Sequence, residues 1–249
     1  MVDSETIKRI VSAAGVAGTD VILEIGAGRG ALTKELAGRA GKVVAVEIDK
    51  KFEHVLRREL EQYENVEIKI GNVLKIIDKL KFNKIVSNIP YSICEPLIQK
   101  LFHKNFELAV LTVPEHFAGI LLAEEDEKNY SELSFLSQMI FEVDVLFPVR
   151  KECFEPMPGT NSVVVEIRPK RLKTEEKLMA EILLDKGKKI KNSMREAFVK
   201  AAGMTKRQSA EKIKLLGIGK KTLDKGAAGL TLEEMKLLRK KAKLHFRQD

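Results

Sequence analysis

The run Val21-Ile22-Leu23-Glu24-Ile25-Gly26-Ala27-Gly28-Arg29-Gly30, leading into Ala31-Leu32-Thr33-Lys34-Glu35-Leu36, constrains the fold of this chain more than any other stretch. A β-branched apolar strand passes into three alternating glycines and then into a helical pattern. Glycine permits positive φ and leaves no Cβ between the backbone and a ligand. Further apolar runs at 42–47, 66–70, 84–88 and 107–112 alternate with helical patterns, the signature of a parallel, doubly wound sheet. A leading helix over 4–14, capped by Asp3 or Ser4, comes before it. Pro114-Glu115 fits the first turn of another helix, and 144–148 and 162–167 read as a closing pair of strands. Ligands of such sheets bind beyond the carboxyl ends of the strands.

Two of those strand ends carry chemistry. The run Lys42-Val43-Val44-Ala45-Val46 ends in Glu47, placed to accept hydrogen bonds from both hydroxyls of a ribose, although a solvated residue beside a helix start would look the same. A glycine loop with a ribose acid suits either a dinucleotide, with Arg29 near the pyrophosphate, or S-adenosylmethionine. The fourth strand decides between them. It closes in Asn88-Ile89-Pro90-Tyr91, where a planar amino group can donate to the Asn88 side-chain oxygen and the Ile89 carbonyl while Tyr91 stacks on its ring. Pro90 fixes its own φ and holds Ile89 extended. Hydride transfer has no use for such acceptors, whereas methyl transfer to a base nitrogen does. The N6 lone pair of adenine is delocalised, so acceptors for its N–H groups return density to nitrogen, and orientation carries much of the rate. The base must leave its stack to enter, and no general base is called for.

With these residues in order, the chain resembles the ribosomal RNA adenine N6-dimethyltransferases. Glu24–Thr33 is similar to that family's cofactor loop, Val46-Glu47-Ile48-Asp49 to its ribose strand, and Asn88–Ile98 to its catalytic segment. Phe154-Glu155-Pro156-Met157-Pro158, followed by Ser162-Val163-Val164-Val165, is similar to its late Phe-x-Pro-x-Pro element. The resemblance implies an α/β fold, a Rossmann-like class I methyltransferase sheet with its last strands antiparallel and a small C-terminal helical domain. It implies S-adenosylmethionine as cofactor, held by Glu24, Gly26, Gly28, Gly30, Glu47, Ile48, Asn72, Val73 and Asn88. The catalytic set is Asn88, Ile89, Pro90, Tyr91 and Phe154, with Phe154 either the second face of a base clamp or a core aromatic. The implied substrate is ribosomal RNA, at two adjacent adenosines near the 3' end of the small-subunit RNA within a pre-small subunit. The enzyme is expected to be a cytoplasmic monomer.

Three departures keep other readings open. Met1-Val2-Asp3 stand where the family's Gln-Asn-Phe-Leu-like segment, which folds over the methionine half of the cofactor, would be ending, so the N-terminus is short. Asn72 replaces the acid that would hold the cofactor adenine, and accepts without charge assistance. Val113–Ile120 lacks the basic residues common after the fifth strand. A diverged paralogue that binds ribosomal RNA as an assembly factor would show the same features. A methyltransferase for large-subunit RNA, for DNA or for a protein amide is the further alternative.

Charge divides the chain. From Lys170 onward there are 23 Lys/Arg against 10 Asp/Glu, whereas the rest carries 21 against 26, for a net charge of +8. Pro169-Lys170-Arg171-Leu172-Lys173 reads as a linker, giving a catalytic domain over 1–169 and a basic helical domain over 170–249 with helices near 175–185, 188–202, 206–216 and 231–243. Lys188, Lys189, Lys191, Lys206 and Arg207 stand at helix starts, where the dipole disfavours cations, a hint of phosphate binding. A lysine-rich solvated surface is the competing reading. Thr205 and Thr231 suit N-caps, the latter with Glu234 as a capping box. The lone cysteines Cys94 and Cys153 and the scattered histidines offer no metal spacing and suggest a reducing compartment. No apolar run is long enough for a membrane span and no signal pattern is present, so a soluble protein without membrane contact is expected.

Overall fold

The computed structural model describes residues 3–246. Helix α1 (Ser4–Ala13) begins where the Asp3 carboxylate accepts the Thr6 N–H at 2.8 Å. Ile7, Ile10 and Val11 form its buried stripe, at the spacing that puts them on one face. Five parallel strands follow: β1 (Val21–Ile25), β2 (Lys42–Glu47), β3 (Val66–Ile70), β4 (Lys84–Asn88) and β5 (Leu108–Pro114). Between them lie α2 (Ala31–Ala37), α3 (Glu53–Glu59), α4 (Val73–Ile76) and α5 (Cys94–Leu101). After α6 (Glu115–Leu122) and α7 (Glu132–Ile140) come β6 (Phe141–Val149) and β7 (Ser162–Pro169). Strand β7 inserts antiparallel between β5 and β6, and the sheet order is β3-β2-β1-β4-β5-β7-β6.

Strands β2 and β5 are buried along nearly their whole length, which explains their unbroken apolar sequences. The outermost strand β6 carries Glu142 and Asp144 and has a register shift between Val145 and Phe147. Both features blunt an open edge. At the amino end of the sheet, Lys84 donates to Asp20 at 2.8 Å and to the Gly15 carbonyl at 2.8 Å. That nearly buried ion pair fastens β4 to the turn after α1. The order reverses between β1 and β4, the switch point at which ligands bind in such sheets.

The chain forms two compact units, one holding residues to Asn129 with Phe141–Pro169, the other Tyr130–Ile140 with Lys170 onward. Helix α7 thus precedes β6 in sequence yet packs on α8 (Thr174–Leu184). The second unit continues with α9 (Ile190–Ala202), α10 (Lys206–Leu215), α11 (Lys220–Leu223) and α12 (Leu232–Phe246). Its core includes Leu178, Met179, Met194, Phe198, Ile213, Met235 and Leu238. Thr205 and Thr231 each close a reciprocal cap, with Gln208 and Glu234 respectively. Lys188 pairs with Glu196 at 2.7 Å and Lys191 with Asp224 at 2.6 Å, so both are partly neutralised from within. Among the described residues no helix is long and apolar enough to cross a membrane. No group of three or more His, Cys, Asp or Glu among them could hold a metal ion.

Candidate active site at the carboxyl edge of the sheet

The site begins with a gap in the ladder. Strands β1 and β4 pair only at Ile22–Lys84 and Leu23–Ile85. Beyond that the Ser87 hydroxyl takes over, donating to the Ile25 carbonyl at 2.6 Å and accepting the Ile25 N–H at 3.1 Å. The two strands can therefore diverge without leaving buried backbone groups unsatisfied. In the mouth so formed, Gly26, Gly28 and Gly30 have φ of 77°, 57° and 81°, the left-handed region that glycine alone enters freely. The Gly26 N–H is held by the Val46 carbonyl at 2.8 Å, tying the loop to β2.

Glu47 closes β2, nearly buried, with one carboxylate oxygen accepting the Gly28 N–H at 2.8 Å and the other the Asp49 N–H at 2.8 Å. Each oxygen keeps a lone pair for a further donor. An open cleft lies against this edge, lined by Ile25, Gly26, Val46, Ile48, Gly71, Asn72, Val73, Pro90, Ser92 and Ile93. Gly26, Ile48, Asn72, Val73 and Pro90 were named from sequence, whereas Gly71, Ser92 and Ile93 were not. Asn72 is the N-cap of α4, and its Oδ1 accepts the Leu74 N–H at 2.9 Å. One lone pair of the oxygen expected to meet an adenine amino group is therefore already engaged.

A second feature is a set of unpartnered polar atoms. Among the described residues, Asn88 Oδ1 and Thr112 Oγ1 at this edge are buried without a hydrogen-bond partner, while the buried Thr33 hydroxyl lies against the Glu24 carboxyl. Strand alternation and register put Glu24, Asn88 and Thr112 on one sheet face near its carboxyl edge. Buried polar groups are rarely left so, and orphans gathered at one edge point to a ligand that satisfies them. Burial pushes the Glu24 carboxyl up to about 8; the Thr33 hydroxyl alongside opposes the rise and the charge of Glu47 adds to it.

Ile89 belongs to the same set. Its N–H donates to the Thr112 carbonyl at 3.1 Å, continuing the ladder with β5. The next rung would run from residue 114 to the Ile89 carbonyl, and Pro114 has no N–H to give. Two acceptors, Asn88 Oδ1 and the Ile89 carbonyl, thus stand in sequence without a rung or a partner. Tyr91 follows in a single 3-10 turn, half-buried, with its hydroxyl 2.5 Å from that of Ser162. Phe154 is 8% exposed and packs in the apolar cluster that also holds Val86, Val110 and Val164, on the sheet face of Asn88. The glycine cradle, the held ribose acid and the orphaned acceptors fit a nucleoside-bearing methyl donor.

Comparison with known proteins agrees with this geometry. The family model for ribosomal RNA adenine dimethylase matches residues 1–240. The chain is 37% identical over 215 residues to the ribosomal RNA small subunit methyltransferase A of Thermotoga petrophila, covering 85% of this chain and 83% of that protein. It is 36% identical over 199 residues to a probable ribosomal RNA small subunit methyltransferase A of Pyrococcus abyssi, covering 79% and 73%. Among solved structures, a dimethyladenosine transferase from Plasmodium falciparum shares the fold with a TM-score of 0.68 at 24% identity, over 100% of this chain and 97% of that one. The 23S rRNA methyltransferase ErmE does so at 0.63 and 22% identity, over 97% and 98%. The chain belongs to the ribosomal RNA adenine dimethylase family of S-adenosylmethionine-dependent methyltransferases.

Proposed function

We propose that this protein transfers methyl groups to the N6 amino group of two adjacent adenosines near the 3' end of small-subunit ribosomal RNA, acting as a cytoplasmic monomer on a pre-small subunit. The observation that supports this best is the orphaned Asn88 Oδ1, next to an Ile89 carbonyl whose ladder neighbour Pro114 has no N–H to give, beside a half-buried tyrosine. An exocyclic amino group has two N–H bonds to give, and this pair takes both. S-adenosylmethionine supplies an electrophilic methyl group on a sulfonium centre. Glu47 holds its ribose, Gly26, Gly28 and Gly30 let the backbone approach it, and Ile48, Asn72 and Val73 take the adenine. Asn88 and Ile89 orient the target nitrogen and favour its tetrahedral form, a gain realised mainly in the transition state. Tyr91 stacks on the base, a contact worth roughly 1–3 kcal/mol. Phe154, on the sheet face of Asn88, takes the second face of the base in this reading.

The basic second unit supplies the grip on phosphates in this reading. The choice of small-subunit RNA follows the names of the relatives in Thermotoga petrophila and Pyrococcus abyssi. A binding-only assembly factor is the second reading, and the uncharged side chain of Asn72 favours it. Incubation with labelled S-adenosylmethionine and ribosomal subunits, followed by nuclease digestion, separates the two. The first reading expects N6,N6-dimethyladenosine in the small-subunit RNA. Retention of the RNA with no label in any nucleoside would leave the assembly factor.

A further inference from the structure

We infer that Ser162 is a positioning residue for methyl transfer, holding the Tyr91 ring in the place where a base stacks on it. The inference rests on the reading of Tyr91 as the stacking platform.

The Tyr91 and Ser162 hydroxyls lie 2.5 Å apart, and either can donate. Ser162 is fully buried and is the first residue of β7. It is registered on one side against Pro114 of β5 and on the other against Val149 of β6, so its Oγ is held by strands on both flanks. Tyr91 has no such support. It sits in a three-residue 3-10 turn without a side-chain cap, and among the described residues no aromatic ring stacks on it. A ring on so short a turn can swing about χ1, and a bond at its far end fixes the direction of the ring axis while leaving its faces free.

Placement agrees with that role. Asn88 is registered with Thr112, Thr112 with Val164, and Pro114 with Ser162. Side chains two apart on a strand share a face, so Ser162 stands on the same sheet face as Asn88. The anchor of the ring and the acceptor for the amino group are thus fixed by the two strands that flank β5. A pairing of this kind fixes the distance of a stacked base from the group that receives its N–H.

The test compares Ser162→Ala, Tyr91→Phe, their combination and Tyr91→Ala in the full-length protein, each with steady-state methyl transfer to ribosomal RNA, S-adenosylmethionine affinity and thermal midpoint. Ser162→Ala and Tyr91→Phe are each expected to lower kcat/KM about tenfold, the effect of one lost hydrogen bond. Cofactor affinity should be unchanged, and a lowered thermal midpoint with full kcat/KM would mark the bond as structural only. The combination should be no worse than either single change, because both remove the same bond. Tyr91→Ala should lose about 100-fold, the ring having gone. If the two hydroxyl deletions keep full kcat/KM while Tyr91→Ala does not, the anchor is overturned and the platform stands. If Tyr91→Ala is also fully active, the platform falls and the anchor with it. Losses that multiply in the double variant would overturn the shared bond. Should Ser162→Ala fail to fold, Tyr91→Phe removes the bond from the other side without touching the strand.

Discussion

A Cβ placed on Gly26 would stand 3.1 Å from Cγ of Pro90, so the cofactor loop and the catalytic segment touch through a position that only hydrogen can occupy comfortably. Gly26 also has φ of 77°, which a side chain would strain. Gly26→Ala is therefore expected to displace Pro90 and with it the Ile89 carbonyl. Calorimetry should record at least about a tenfold loss of S-adenosylmethionine affinity, as strain and crowding together cost roughly 1–3 kcal/mol. Unchanged affinity would separate the loop from the site.

Glu24 gives a pH dependence. Its carboxyl is pushed up to about 8, chiefly by burial, against 4.5 for the ordinary group. Between those values the folded protein holds a proton that the unfolded chain has released, so stability falls as pH rises across this window and levels off above it. The total is at most about 5 kcal/mol. Glu24→Gln keeps the shape without the titration, and its thermal midpoint should vary less between pH 5 and about 8 than that of the wild type. Identical pH profiles for the two proteins would show that this carboxyl is not the source.

Asn72 tests the adenine end of the cleft. Its Oδ1 already accepts the Leu74 N–H, and an aspartate would keep that cap while adding charge to any second donor. Asn72→Asp should bind S-adenosylmethionine about fivefold more tightly, charge-assisted bonds being roughly twice as strong as neutral ones. No gain by calorimetry would move the adenine elsewhere in the cleft.

The fold was largely legible because its strands are buried on both faces and its turns are marked by glycine and proline. Helix α7 was not, since seven of its nine residues are buried and no amphipathic stripe remains to be read. Strand β6 begins at Phe141, before the expected 144, because Glu142 and Asp144 on an exposed edge mask its apolar pattern. At the site, chemistry-bearing side chains such as Asn88 and Glu47 declared themselves. Gly71, Ser92 and Ile93 line the cleft through shape alone and carry no such signal. The motif around Phe154 gave its spacing but not its burial. The partner of Lys191 lies 33 residues away at Asp224, a distance no local pattern reports.

That pairing changes which cations best test RNA binding. Lys189 and Lys220 are exposed, and with Lys191 they lower the pKa of the Asp224 carboxyl, Lys191 contributing most. Lys189 and Lys220 are better candidates for phosphate contact than Lys188 or Lys191, which have acidic partners. Reversing both to Glu should weaken RNA binding and reduce the slope of log affinity against log salt by about one to two units. Point changes are preferable to deleting 170–249, which would strip α7 of the helix it packs on. An unaltered salt slope would make this cluster a solvated surface only.

The central claim, that Asn88 receives the target amino group, is tested most directly by single-turnover methyl transfer with Asn88→Ala at saturating S-adenosylmethionine and ribosomal RNA. The Oδ1 acts mainly as the nitrogen becomes tetrahedral, so the rate constant is expected to fall about 100-fold or more while cofactor affinity changes less than about threefold. A rate equal to that of the wild type, with N6,N6-dimethyladenosine still formed, would contradict it.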